Sequence, residues 1–151
     1  MSTRCIFSAS LSVVLAALAG CGSDGPTVIP IRGDVVFKGA PLRDVPQGLV
    51  HYLPKTAEGR QASGRIQPDG TFVLTTFKGG DGVVPGEYDI VVSAYATGPE
   101  LTRAQVEATR GVGINKPRLL IPQKYTEVTT SGLTDTVNSD HSGFRRIELT
   151  E

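Results

Sequence analysis

Hydrophobic and polar residues alternate along much of this chain with the two-residue period of strands half buried against a core. The clearest run is 87–96, where Tyr88, Ile90, Val92 and Ala94 fall on one face. Residues 71–77 repeat the pattern, with Phe72, Leu74 and Thr76 together. Less regular apolar runs predict further strands over 28–37, 49–53, 62–66, 131–137 and 144–149, and a short apolar stretch, 119–121, stops at Pro122. Turn chemistry separates them. Gly39 and Pro41 punctuate the end of the first strand, and Gln67-Pro68-Asp69-Gly70 is the strongest local signal. There Pro presets the turn and Asp-Gly supplies the positive φ that a tight hairpin needs. A Gly-rich loop follows over 78–84, and Pro85-Gly86 opens the longest strand. Only 97–117 lacks the alternation; within it, 101–110 could form a short helix. The expectation is an all-β fold, an antiparallel seven- to eight-stranded Greek-key sandwich.

The N-terminus breaks this pattern. Arg4 precedes an apolar run over 6–18 interrupted only by serines, and small residues follow at Ala19, Gly20 and Cys21. A charged start, a short apolar run and a small-residue end are the parts of a secretory signal peptide. The run is shorter than the roughly 20 residues a bilayer-spanning helix needs. Leu18-Ala19-Gly20-Cys21 resembles the lipobox of bacterial lipoproteins at all four positions. The resemblance implies cleavage after Gly20 and a diacylglycerol thioether on Cys21, with the chain held to a membrane by its acyl chains at about 0.8 kcal/mol per buried CH₂. Gly22, where an Asp would favour inner-membrane retention, points to the outer membrane, facing the periplasm or the cell surface. The expected organisation is a signal peptide over 1–20, a flexible tether over 21–30 rich in Gly, Ser, Asp and Pro, and one domain over 31–151.

Processing changes what the composition says. Loss of Arg4 with the signal leaves 14 basic against 15 acidic residues, a net charge of −1. A near-neutral surface argues against nucleic acid as a partner. Cys5 leaves with the signal and Cys21 is spent on lipid, so neither of the two cysteines remains for a disulfide, thiol catalysis or a metal. The chain has no Trp but 18 Gly and 10 Pro, which suits a small turn-rich β domain.

Three stretches carry a more specific likeness. Ile31-Arg32-Gly33-Asp34-Val35 leading to Gly39-Ala40-Pro41-Leu42 resembles the opening of carboxypeptidase regulatory-like domains, which have the transthyretin-like (prealbumin-like) sandwich fold. Asp69-Gly70-Thr71-Phe72 is similar to that family's hairpin, and Pro85-Gly86-Glu87-Tyr88, with Ile90 and Val92, to its longest strand. Ile121-Pro122-Gln123-Lys124-Tyr125 and Thr130-Ser131-Gly132-Leu133 resemble a group of small bacterial lipoproteins that share the domain. The motif residues Asp69, Gly70, Phe72, Pro85, Gly86 and Tyr88 also have plain physical roles: glycines for turns, aromatics for a sandwich core.

No catalytic constellation is evident, and no cofactor or metal is expected. His51 and His141 have no ligand-like spacing, and alternation points Tyr52 rather than His51 inward. The 5-hydroxyisourate hydrolases among transthyretin-like proteins end in Tyr-Arg-Gly-Ser, whereas this chain ends Glu148-Leu149-Thr150-Glu151. There is no Gly-x-Ser-x-Gly elbow. The loop Gly79-Gly80-Asp81-Gly82 offers one carboxylate to a cation and leads into no helix. An internal Lys–Asn isopeptide bond, as in related adhesin domains, would have to use Lys38, Asn138 and the acid Asp81. The sequence therefore implies a non-enzymatic, membrane-anchored binding or structural module; the alternatives are an accessory subunit for a protein or polysaccharide partner at the envelope and, third, an enzyme of unknown class.

Overall fold

A computed structural model describes residues 26–98, 102–108, 117–140 and 143–151. The expected signal peptide over 1–20, the lipobox-like Leu18-Ala19-Gly20-Cys21, His141 and most of 97–117 lie outside the described residues.

Nine strands are present among the described residues, in two sheets: β1 (Ile31–Phe37), β2 (Ala40–Pro41), β3 (Gln47–Pro54), β4 (Ala62–Arg65), β5 (Thr71–Val73), β6 (Gly86–Ala96), β7 (Arg118–Leu119), β8 (Leu133–Val137) and β9 (Gly143–Leu149). In the first sheet β9 runs along one edge of β1, while β5 and β2 share the other. In the second sheet the order is β4-β3-β6, with β8 and β7 sharing the far edge of β6. A reciprocal pair of bonds between Ser63 and Thr75, each 2.9 Å, links β4 to the chain just beyond β5 and so joins the two sheets along one side.

The alternation in the sequence matches the faces. Tyr88, Ile90, Val92 and Ala94 of β6 are buried, as are Phe72 and Leu74, and they meet Ile31, Val35, Val50, Tyr52, Ile147 and Leu149 between the sheets. The Tyr52 and Tyr88 rings, both fully buried, stand 5.7 Å apart at 49°. Tyr52 points inward and His51 is only half buried, as expected from the strand.

Several details differ from the sequence expectation. The β1–β9 pairing is parallel, from Ile31 beside Gly143 to Phe37 beside Leu149; the other strand pairs are antiparallel. Side-chain alternation is the same in either direction, so the period cannot reveal it. The strand expected over 71–77 ends at Val73, because the Asp81 carboxylate draws the backbone of 76–78 into a loop. The strand expected from 131 starts at Leu133: a 3₁₀ turn (Gln123–Thr126) and one turn of helix, α2 (Val128–Ser131), precede it, and Gly132 reverses the chain at φ 64°. Finally, Ile29 falls where the strand expected over 28–37 overlaps the span expected to be tether; it is 6% exposed and forms a bridge with Val83 (N···O 2.7 and 2.9 Å). Its side chain belongs to the core.

The pairings also give the sandwich two distinct ends. One carries the start of β1, the end of β5 and the start of β9. The other carries the turn at Gly70, the β6–β7 connection and the C-terminus, where Tyr125 meets Thr150. We refer to them as the entry end and the far end.

The segment 97–117 leaves and re-enters at the far end. Its short helix α1 (Arg103–Ala108) has exposed Arg103, Ala104, Glu107 and Ala108, and Ala96 is the Cα partner of Arg118, so the two ends of the excursion stand about 5 Å apart. Replacing residues 100–115 with two glycines leaves a connection of about seven residues, an ordinary loop length. The shortened chain is expected to fold, with a melting temperature close to that of the full chain. Loss of the β circular dichroism signal would show that the excursion helps to close the core.

Candidate functional site

The polar side chains of the sandwich gather in a few clusters, each built by the strand register. Asp34 of β1 and Arg146 of β9 are direct partners across the parallel pair, and the guanidinium grips the carboxylate through Nε and Nη2 at 3.0–3.3 Å. Asp34 is 9% exposed, so this paired carboxylate ties the last strand to the first in one register. Between the sheets, Arg145 Nε donates to Asp135 Oδ2 at 2.9 Å, and the Tyr52 hydroxyl donates to the same oxygen at 3.2 Å. Asp135 lies on β8 and Arg145 on β9, so the cluster closes the sandwich with an ion pair spanning both sheets.

Burial pushes the Tyr52 phenol well above its ordinary range, and the Asp135 charge raises it further. An unfolded tyrosine ionises near pH 10, so the folded state here favours the protonated form. The stability this contributes is complete below about pH 10 and is lost as the pH rises above it. Tyr52→Phe is therefore expected to flatten the alkaline limb of a melting-temperature profile. An unchanged limb would mean that another group governs alkaline unfolding.

Asp81, on the Gly-rich loop, accepts from the backbone N–H of Thr76 (2.8 Å), Phe77 (2.9 Å) and Lys78 (2.9 Å). Partial desolvation raises its pKa, but the backbone donors outweigh that and hold it below the usual carboxylate range. The carboxylate thus organises its own loop. Lys38 pairs with Glu151 beyond the Phe37 end of β1. Asn138 follows β8 at Val137, whose partner is Gly86 at the entry end. The length of β1, about 20 Å, therefore separates Lys38 from Asn138, which rules out the isopeptide geometry.

The motif residues have structural roles. Asp69 Oδ1 accepts from Thr71 N at 2.9 Å and from its hydroxyl at 2.7 Å, and Gly70 sits at φ 90°, closing the β4–β5 hairpin. Phe72 is fully buried. Pro85 and Gly86 are exposed at the turn into β6, and Tyr88 Oη donates to Val84 O at 2.7 Å across that turn. Tyr125, from the tail motif, is 4% exposed, and its hydroxyl accepts from Thr150 N at 2.8 Å. With the Lys124 ammonium donating to Glu151 O at 2.8 Å, the motif clasps the C-terminal residues. Sequence reasoning singled out these tail residues by likeness alone; a buried tyrosine one residue after a lysine has no periodic signal.

His51 Nδ1 lies 3.3 Å from the Gln61 side-chain amide, and partial burial lowers its pKa. Among the described residues every buried side-chain N or O atom has a hydrogen-bond partner, and no group of three or more His, Cys, Asp or Glu side chains is placed to hold a metal.

The one sizeable concavity we single out lies at the entry end. It is open, about 520 Å³, and is lined by Pro30, Ile31, Arg32, Val73, Gly80 and Gly143. Val73 of this lining is 49% exposed; Phe144, the register partner of the lining residue Arg32, is 55% exposed, and Phe77, on the loop that carries the lining residue Gly80, is 50% exposed. Arg32 is the register partner of both Val73 and Phe144, so a cation sits between two exposed apolar groups on the outer face of the sheet. Such a surface offers apolar area and one positive charge, and the lining includes no candidate nucleophile or general base. The sequence reasoning missed this place because Val73 and Phe144 occupy outward positions, which a period-2 pattern treats as solvent-facing. No family model, no curated protein and no solved structure matches this chain.

Proposed function

We propose that this chain is an exported lipoprotein, acylated at Cys21, whose sandwich serves as a non-enzymatic binding or structural module at the cell envelope. The observation that carries the domain's part of this is the use of its polar groups. Asp34, Asp81, Asp135, Arg145, Arg146, Tyr52, Tyr88 and Tyr125 are each engaged in contacts that hold strands, loops or the C-terminus in place. What remains accessible is a rigid scaffold with an apolar, weakly cationic surface at one end, the arrangement of a module that presents a surface. The anchor rests on Leu18-Ala19-Gly20-Cys21 and the apolar run before it.

We also propose the transthyretin-like Greek-key form for the domain. The strand order supports it: β3, β4 and β5 are consecutive neighbours through the Ser63–Thr75 link, and β6 returns to lie beside β3. The resulting order of fourth, first, second and third strands is that of a Greek key.

The functional test is affinity capture from detergent-solubilised envelope, with the acylated chain as bait. A binding module is expected to recover a specific envelope protein or polysaccharide. Recovery of the chain alone would contradict a partner-binding role, and chemical alteration of a captured partner would contradict the non-enzymatic one.

A further inference from the structure

The entry end of the sandwich combines three features that nothing in the packing of the domain requires. It is where the chain comes in from Cys21, it carries the exposed side chains of Phe77, Val73 and Phe144, and it places cations among them. Ile29 is fixed in the core beside Val83, and the loop bearing Phe77 is tied to the same place by the Gly82 N–Leu74 O bond of 3.1 Å. Lys78 follows Phe77 and is exposed; Arg32 is exposed between Val73 and Phe144.

The covalent chain limits how far this end can be from an anchor at Cys21. Eight residues separate Cys21 from Ile29, and at no more than about 3.6 Å per residue they reach roughly 29 Å even when fully extended. Since β1 alone is about 20 Å long, the domain is held within little more than its own length of the bilayer. The entry end, where the chain joins the domain at Ile29, is the end nearest such an anchor. Aromatic side chains flanked by Lys and Arg suit the membrane interface, where rings enter the headgroup region and ammonium or guanidinium groups stay among phosphates.

We infer that the entry end of the sandwich rests on the lipid surface, with Phe77 and Phe144 entering the interface and Arg32 and Lys78 at the level of the headgroups. This rests on the proposed acylation at Cys21. The domain would then be oriented, with α1, the 3₁₀ turn, α2 and the C-terminus facing away from the membrane.

The chain contains no Trp, so a single introduced Trp is an unambiguous probe. Three full-length chains are made and acylated in the cell: Phe77→Trp, Phe144→Trp and, at the far end, Val128→Trp, which replaces an exposed valine of α2. Each is reconstituted into vesicles of phosphatidylcholine and phosphatidylglycerol, with and without brominated phosphatidylcholine. Flotation with the vesicles reports the anchor, and Trp emission reports the contact. The inference predicts that all three chains float, and that the two entry-end probes shift to the blue and lose emission in brominated lipid while Val128→Trp does neither. Flotation without quenching at Phe77→Trp and Phe144→Trp, or with equal quenching at Val128→Trp, would overturn the orientation and leave the anchor standing. Failure of every chain to float, with no acyl mass on Cys21, would overturn the anchor and this inference with it.

Discussion

Replacing Tyr88 with alanine is expected to cost about 3–5 kcal/mol, the range for truncating a buried aromatic. Tyr88 is fully buried, its ring packs against that of Tyr52, and its hydroxyl bonds to Val84 O across the turn into β6. Alanine would leave a cavity in the core near the start of the longest strand and remove the only donor that the side chain offers to Val84. A domain of this size has about 5–15 kcal/mol of stability in all, so the variant should melt many degrees lower or fail to fold. Tyr88→Phe separates the two contributions: it keeps the ring and gives up only the hydrogen bond, at about 1 kcal/mol. Urea unfolding of both variants is the measurement. A shift of a degree or two for Tyr88→Ala would mean that the side chain is not in the core and that the faces of β6 are reversed.

Gly33→Ala is the second large effect. Gly33 lies in β1 beside Arg145 of β9, and a Cβ there would come within 1.9 Å of the Arg145 carbonyl oxygen and 2.7 Å of the Phe72 ring. A flexible side chain could move aside, but a backbone carbonyl in a ladder cannot do so without parting the strands. The cost is expected to reach or pass the upper end of the ~1–3 kcal/mol typical of overpacking. It should be concentrated in β9: amide exchange across 143–149 should accelerate more than in β3 or β6. Gly39→Ala is a useful contrast, since its Cβ would meet nothing within 4 Å and only its positive φ of 78° opposes the change. If Gly33→Ala were no worse than Gly39→Ala, the close parallel approach of β1 and β9 would be wrong.

These two residues show why some of the fold can be read from the sequence and some cannot. Tyr88 announces itself: it begins a run in which every second residue is apolar, and a turn dipeptide precedes it. Phe72 is equally plain after Asp69-Gly70. Gly33 gives no such signal, because its necessity lies in a carbonyl more than a hundred residues away. Parallel pairing is invisible for the same reason, since side chains alternate identically in both directions. Asp81 stands out in the sequence as a loop carboxylate weighed for a cation or an isopeptide bond, and only the path of the backbone brings to it the three N–H groups that set its role. Ile29 falls where the expected strand over 28–37 overlaps the expected tether over 21–30, and the bridge to Val83 with its burial places it in the core. The candidate surface at the entry end was hardest to foresee. Val73 and Phe144 occupy outward positions on strands distant in sequence, and they flank Arg32 only because β5 and β9 both pair with β1.

The proposed anchor at Cys21 would decide where this domain works, and intact mass measurement of the chain isolated from the envelope tests it most directly, alongside palmitate labelling of the wild type and Cys21→Ser. The account predicts a mature wild-type chain that begins at Cys21 and carries a diacylglycerol on its sulfur. It predicts a Cys21→Ser chain that retains residues 1–20 and takes up no label. A wild-type chain without acyl mass, or a Cys21→Ser chain that still incorporates palmitate, would contradict it.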